Sequence, residues 1–182
     1  MQAPTTASCS DRRARFGFRR APRGLDLPAP VIVDTLLTAV IAAVGQRVPF
    51  RPGALELLEA LRAEGIPCVM VTMSYRSLAE AVIAACPPGS FAGLVGGDDV
   101  TRGKPDPEPY LAGAALLGLD PGDCVALEDS RPGLASAEAA GTIAIGIPHL
   151  VDLDPAPGTT LWTSLAGHDV DDLRALTSRL SA

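Results

Sequence analysis

The chain has 182 residues, of which 47% are hydrophobic and 20% are charged, and this composition is typical of one globular domain with a substantial core. The net charge is −6, but it is unevenly spread. Residues 1–24 contain six arginines and one aspartate and carry +5, which leaves −11 for the remaining residues. So acidic a remainder argues against nucleic acid as a partner.

The four cysteines have no paired spacing that suggests a zinc site or a disulfide framework. Cys68 and Cys124 lie in apolar, strand-like runs, where buried free thiols are expected. This favours a reducing, cytoplasmic location. We find no apolar stretch that reaches the roughly 18 residues needed to cross a bilayer, and we therefore expect no membrane contact.

The first part of the chain differs from the rest. Residues 1–30 are rich in Arg and Pro without an apolar period, and we expect them to be disordered. They suit an organelle transit peptide or, as we favour, a wrongly started reading frame. Residues 31–48 follow as a separate helical segment. Its apolar residues recur at helical spacing and predict a helix over residues 31–44: Val33, Leu36, Leu37, Val40, Ile41 and Val44.

Residues 49–182 alternate between predicted strands and predicted helices. Apolar runs predict buried strands at residues 66–72, 91–95, 123–128 and 142–147. Helices are predicted from residue 52 to about 65, after residue 72 to about 86, and over 107–118, 135–140 and 170–180. Such alternation predicts an α/β fold, with a Rossmann-like parallel sheet and helices on both faces.

Functional side chains fall where three of the predicted strands end. Thr72 closes the first strand, Lys104 follows the second, and Glu128 with Asp129 closes the third. Ligands of such sheets bind outside the carboxyl ends of the strands, so we expect these side chains to converge. A hydroxyl and an ammonium group suit phosphate oxygens, and two adjacent carboxylates suit Mg²⁺.

Lys104 is the only lysine among 15 basic residues, and the other 14 are arginines. A lysine offers a compact, strongly hydrated charge with three rotatable donors, which an arginine does not replace. Each candidate also has a plain structural interpretation. Thr72 could cap a strand, Lys104 could be solvated, and Glu128-Asp129-Ser130 could cap the following helix. The order Thr, Lys, Glu-Asp, each at a strand exit, favours a phosphoryl-transfer site.

These motifs resemble those of the haloacid dehalogenase superfamily, in its phosphatase and phosphoglucomutase-like branch. The resemblance runs from about Pro52 to His149 and rests on four groups of residues: Arg51-Pro52-Gly53-Ala54, Val69-Met70-Val71-Thr72-Met73-Ser74, Gly103-Lys104-Pro105-Asp106-Pro107, and Leu127-Glu128-Asp129-Ser130 with Gly133 and Ala139-Ala140-Gly141. It implies that Thr72 and Lys104 bind phosphoryl oxygens and that Glu128 and Asp129 organise Mg²⁺. It also implies that residues 31–48 are the remnant of a helical cap.

One element of that family pattern is not found. The resemblance implies a nucleophilic aspartate in an Asp-x-Asp-x-Thr/Val motif on a central strand, between the strands that end at Thr72 and Glu128. Asp11 and Asp26 lack a preceding apolar strand, and in the run that begins at Asp34 a leucine stands where the second acid would be. We therefore expect the first strand and most of the cap to be missing.

The sequence supports two functional hypotheses. The first is a Mg²⁺-dependent hydrolase of a small phosphorylated metabolite, inactive in this form. The second is a non-catalytic relative that binds phosphate or a partner through the retained site. A receiver-type signalling domain is disfavoured, because its acidic cluster precedes the Thr and the Lys, whereas here Glu128 and Asp129 follow both.

Overall fold

The computed structural model describes residues 27–157 and 159–178, and every structural statement below refers to these residues. The expected disorder of residues 1–30 falls almost wholly outside them. In chain order the elements are α1 (Ala29–Gln46), α2 (Ala54–Ala63), β1 (Val69–Val71), α3 (Arg76–Ala84), β2 (Gly93–Val95), α4 (Glu108–Leu117), a 3₁₀ turn (Pro121–Asp123), β3 (Val125–Glu128), α5 (Arg131–Ala139), β4 (Ile143–Gly146), β5 (Thr160–Leu161) and α6 (Val170–Ser178).

The strands are all parallel, as predicted, but the described ones form two sheets rather than one. β1 pairs with β2, and β3, β4 and β5 pair in that order. The division falls between β1 and β3, where the family resemblance places the nucleophile strand. Within residues 27–157 and 159–178, β1 pairs only with β2 and β3 pairs only with β4, so each has one edge without a described partner strand.

Helices cover both faces of the strands. On one face, Leu57 and Leu61 of α2 and Leu173 of α6 pack with Ile145 and with Trp162, which follows β5. On the other face, the inner sides of α4 and α5 pack against small side chains of β3 and β4 to form a second core: Tyr110, Leu134, Ala137, Ala140, Ala126, Ala144 and Leu153. The predicted α/β class with helices on both faces is therefore confirmed, and Trp162 is a packing residue of the first core.

Local residue chemistry explains where α5 begins and where α4 ends. Ser130 caps α5, because its hydroxyl accepts a hydrogen bond from the amide of Gly133 at 3.1 Å. α5 consequently begins four residues earlier than predicted. Gly118 closes α4 in the left-handed conformation, at φ 67°. β5 was not predicted, since two residues are too short to show a period.

α1 matches the predicted helix but is more exposed than its apolar pattern suggests. Val33, Leu37 and Ile41 are half-buried along one face, and the helix contacts α3. Leu36 and Val40 remain exposed. With 18 residues and a mean hydropathy of 1.7, α1 is long and apolar enough to cross a membrane by length and composition. Our expectation that no stretch reaches this length was wrong, although a signal sequence or a core helix passes the same test.

The described cysteines are free, but their burial differs from expectation. Cys86 is buried, whereas Cys68 and Cys124 are only half-buried. Each of the latter two stands just before a short strand, and its carbonyl oxygen accepts a hydrogen bond from the neighbouring strand or the residue before it. Burial raises the pKa of the Cys68 thiol above its ordinary value.

The turn before α2 provides a stability test. Gly53 has a φ of 85°, and a Cβ there would overlap the backbone of Leu165 and Ala166. Gly65 has a similar φ of 69° but nothing within 4 Å of such a Cβ. We predict that Gly53→Ala lowers the free energy of unfolding by about 2–5 kcal/mol, as strain and overpacking add. Gly65→Ala should cost only about 1–2 kcal/mol of backbone strain.

Urea unfolding monitored by circular dichroism measures both changes. Equal losses for the two variants would mean that the contact with Leu165 and Ala166 does not constrain the turn.

Candidate functional site

Lys104 connects the two sheets. It lies in the loop between β2 and α4, and its side chain is only 9% exposed. The ammonium group donates to the carbonyl oxygen of Val71, at the end of β1, over 3.0 Å, and to Oε1 of Glu128, at the end of β3. The predicted solvated alternative for Lys104 is therefore wrong. Its charge is held at the carboxyl ends of both β1 and β3.

Glu128 is the counter-ion of this lysine. Its side chain is 7% exposed, and Oε1 accepts hydrogen bonds from both Lys104 and the Tyr110 hydroxyl. Oε2 lies 3.4 Å from the Ser130 hydroxyl, at the amino end of α5, where the helix dipole favours a negative charge. A Cβ at position 133 would overlap this carboxylate, so Gly133 is required for the arrangement.

Tyr110 is a site residue that the sequence analysis missed. It stands on the inner face of α4, and its hydroxyl reaches Glu128. Burial, followed by the nearby negative charge of Glu128, raises the pKa of Tyr110 far above its ordinary value, so the phenol stays protonated. The available signal was a single aromatic residue in the first turn of an Ala-rich helix, six positions after Lys104.

The turn after β1 carries Thr72. Its hydroxyl oxygen accepts a hydrogen bond from the amide of Ser74 at 3.1 Å, so Thr72 does cap the strand end. The hydroxyl proton has no acceptor among the described residues and remains available to a ligand. Met73 joins this turn to the lysine loop, because its sulfur accepts the backbone amide of Lys104 at 3.2 Å. The Lys104–Pro105 peptide bond in that loop is cis.

Asp129 follows Glu128 and is exposed, with no protein partner among the residues that the structure describes. The two carboxylates predicted as a metal pair therefore differ. Glu128 is occupied by Lys104 and Tyr110, whereas Asp129 is free to bind a cation. The described residues contain no group of three or more His, Cys, Asp or Glu side chains that could hold a metal ion by themselves.

Asp98 and Asp99 have structural contacts. Arg76 donates to both carboxylate oxygens of Asp99, at 3.1 and 2.6 Å, and its backbone amide donates to Asp98. Burial acts to raise the pKa of Asp99, but the hydrogen bonds from Arg76 and from the Gly96 amide leave it below its ordinary value. These contacts hold the loop after β2 against the amino end of α3.

The predicted site residues thus meet in part. Lys104 and Glu128 are in direct contact. Thr72 is one residue from Val71 and Asp129 is one residue from Glu128, so both stand beside atoms that Lys104 joins. No described contact joins Thr72 to Asp129.

Comparison with known proteins identifies the family. A family model of haloacid dehalogenase-like hydrolases matches residues 11–141, more than half of the chain. The chain belongs to this family. The superfamily and the fold class were therefore assigned correctly from sequence.

Individual relatives lie in the phosphatase and phosphoglucomutase-like branch. Protein CbbY of Rhodobacter capsulatus is 44% identical over 105 residues, covering 56% of this chain and 46% of CbbY. Hexitol phosphatase A of Escherichia coli (strain K12) is 41% identical over 115 residues, covering 62% and 52% respectively. The chain thus spans about half the length of these two relatives. The structure of CbbY from Rhodobacter sphaeroides in complex with phosphate superposes with a TM-score of 0.78 and 28% identity, over 90% of this chain and 76% of that chain.

The buried ion pair yields a second prediction. Lys104→Met leaves the Glu128 carboxylate buried without its cation, and we expect a loss of about 3–5 kcal/mol in the free energy of unfolding. Adding Glu128→Gln should restore part of this loss, because no buried charge then remains. Urea unfolding measures both.

The matched control is Arg62→Met. Arg62 pairs with Glu59, but the two side chains are 43% and 53% exposed, so removing this cation should leave the urea midpoint nearly unchanged. If Lys104→Met costs no more than Arg62→Met, Lys104 and Glu128 do not form a buried pair in solution.

Proposed function

We propose that this chain is the phosphate-binding core of a hydrolase that cleaves monoesters of a small phosphorylated metabolite with the help of Mg²⁺. One observation carries the proposal: a buried lysine, fixed by Glu128, presents its charge at the carboxyl ends of both β1 and β3. Ligands of parallel α/β sheets bind at such strand ends.

Thr72 and Lys104 would hold the phosphoryl group. The Thr72 hydroxyl retains a proton to donate, and it lies in the same turn as the backbone amides around Met73 and Ser74. Lys104 supplies positive charge, which offsets the charge that develops on a transferring phosphoryl group. Most of the pair is shielded from water, and this strengthens the electrostatic effect.

Asp129 would hold Mg²⁺. This cation commonly takes one or two carboxylates and completes its shell with waters and substrate oxygens, so one exposed carboxylate beside a phosphate site suits it. Bound there, the metal would neutralise phosphate charge. Glu128 would act indirectly, because its oxygens are taken by Lys104, Tyr110 and Ser130.

The nucleophile is the part of the reaction that the chain does not supply. No Asp-x-Asp-x-Thr/Val motif occurs in the sequence. Asp152 with Asp154, and Asp169 with Asp171, have the Asp-x-Asp spacing, but an alanine and a leucine stand where the Thr or Val would be. Without an aspartate to form a covalent intermediate, we propose that the chain binds phosphate but turns esters over poorly. The family's nucleophile strand would fit the division between β1 and β3.

The names of relatives support a sugar or sugar-alcohol phosphate as the substrate class. Hexitol phosphatase A is named for a sugar-alcohol phosphate. A mutant of CbbY from Rhodobacter sphaeroides has been crystallised with xylulose-(1,5)bisphosphate. We propose that α1 belongs to a cap that selects among such substrates, and that residues 49–182 form the core domain. We also propose a cytoplasmic location, in line with the free thiols.

The second candidate is a non-catalytic phosphate-binding relative. The absence of the aspartate motif from the sequence, combined with an ordered Lys104–Glu128 pair, favours it for this chain on its own. Phosphate binding without turnover would be its signature.

Orthophosphate binding tests the site itself. An anion present at about 100 times its dissociation constant stabilises a protein by about 2.7 kcal/mol, so phosphate should raise the melting temperature of the chain. Thr72→Val should weaken the affinity roughly tenfold or more, the cost of one charge-assisted hydrogen bond. Titration calorimetry measures the phosphate affinity of the wild type and of Thr72→Val.

Thr38→Val is the matched control for this titration. It removes a hydroxyl that bonds only to the Asp34 carbonyl within α1, and phosphate affinity should not change. Identical affinities for the wild type and for Thr72→Val would place the anion elsewhere.

Turnover tests the missing nucleophile. With p-nitrophenyl phosphate and Mg²⁺, we expect hydrolysis no faster than the background reaction. Asp129→Ala should therefore make no measurable difference. Clear turnover that Asp129→Ala abolishes would show that the chain contains a working nucleophile, and would refute the proposal of an inactive core.

A further inference from the structure

The aromatic ring of Tyr110 belongs to the core, whereas its hydroxyl belongs to the site. The residue is 9% exposed and packs with Ala126, Leu134 and Ala137 between α4, α5 and β3. From there the hydroxyl reaches the end of β3, where it donates to Oε1 of Glu128. A phenylalanine would fill the same core space and leave Glu128 without this donor.

Tyr110 also contacts the cation directly. The Lys104 ammonium lies 3.4 Å from the hydroxyl oxygen and 4.8 Å from the centroid of the ring. Because the hydroxyl proton points to Glu128, the lone pairs of the oxygen are free to face Lys104. The ring adds a cation–π attraction at the observed distance. Both members of the buried ion pair therefore touch Tyr110.

The Tyr110 hydroxyl is one of the acceptors that surround the Lys104 ammonium. A lysine ammonium has three N–H donors. Three protein acceptors surround the one on Lys104: the Val71 carbonyl at 3.0 Å, the Tyr110 hydroxyl at 3.4 Å, and Oε1 of Glu128. Removing the hydroxyl leaves one donor without an acceptor and deprives Oε1 of one of its two donors. The ammonium then has room to rotate about the remaining two bonds.

We infer that Tyr110 is a positioning residue for Lys104. Its hydroxyl completes the three-acceptor seat that fixes the ammonium between β1 and β3, and so sets the point from which this charge meets an oxyanion. The last step rests on the proposed function; the seat itself does not. Tyr110 would act through Lys104 and Glu128, without touching the substrate.

The single lysine makes this seat directly observable. Growth on nitrogen-15-labelled lysine gives one side-chain ammonium signal in an NMR spectrum, because Lys104 is the only lysine in the chain. In the wild type we expect a resolved signal whose hydrogens exchange slowly with water. In Tyr110→Phe this signal should shift and its exchange should quicken at least fivefold. The backbone amide of Lys104 donates to the Met73 sulfur, and its signal should not shift.

Ser136→Ala is the matched control. Ser136 is fully buried, and its hydroxyl donates to the Asp106 carbonyl at 2.6 Å, in the same loop as Lys104 but without contact to the cation. Ser136→Ala should lower the melting temperature about as much as Tyr110→Phe does, yet leave the Lys104 ammonium signal unchanged. Tyr110→Leu, which also removes the ring, should disturb the signal more than Tyr110→Phe.

Phosphate affinity tests whether Tyr110 influences anion binding, whereas the ammonium signal tests its contact with Lys104 alone. Calorimetric titration with orthophosphate should show about tenfold weaker binding for Tyr110→Phe and none of this loss for Ser136→Ala. If the wild type does not bind phosphate, the proposed function fails, while the ammonium signal of the free protein still tests the seat. An ammonium signal identical in the wild type and in Tyr110→Phe would overturn the inference.

Discussion

The buried ion pair between Lys104 and Glu128 is the constraint on which the rest of the site depends. Removing two charges from water costs several kcal/mol for each ion, and the pair offsets this only if the remaining donors and acceptors are also satisfied. The chain meets that condition with the Val71 carbonyl, the Tyr110 hydroxyl and the amino end of α5 beside Gly133. A neutral core would be easier to stabilise, and the proposed function supplies a reason for a charged pair at this position.

The pair also holds together two parts of the fold that backbone hydrogen bonds do not join. In the described residues, β1 with β2 and β3 with β4 and β5 form separate sheets, and Lys104 bonds to the end of one strand from each. Side-chain packing helps, since Cys68 and Val71 of the first sheet each contact a core built mainly on the second. In the proposed function, a structural contact and the phosphate-binding charge reside in one side chain. This explains why a lysine stands at position 104 in a chain whose other cations are arginines.

Much of this could be read from the sequence. Apolar periods located most helices and strands, and the exits of β1, β2 and β3 identified Thr72, Lys104 and Glu128. Tyr110 could not be identified, because a buried aromatic on an apolar helix face looks like any core residue until its hydroxyl is placed. Pattern alone also could not separate Glu128 from Asp129, since adjacent carboxylates differ only in the direction in which each points. The exposed side of α1 was missed for a related reason: a period shows which residues share a face, but not whether a neighbour covers it.

Amide hydrogen exchange, measured by mass spectrometry on the double variant Lys104→Met/Glu128→Gln, tests the central claim most directly. This variant removes the ion pair without leaving a buried charge behind. The account predicts that peptides covering β1 and β3 lose protection together, while peptides from α2 and α6, which pack on the opposite face, change little. Unchanged protection of β1 and β3 would contradict it, because the two sheets would then be held together without the lysine.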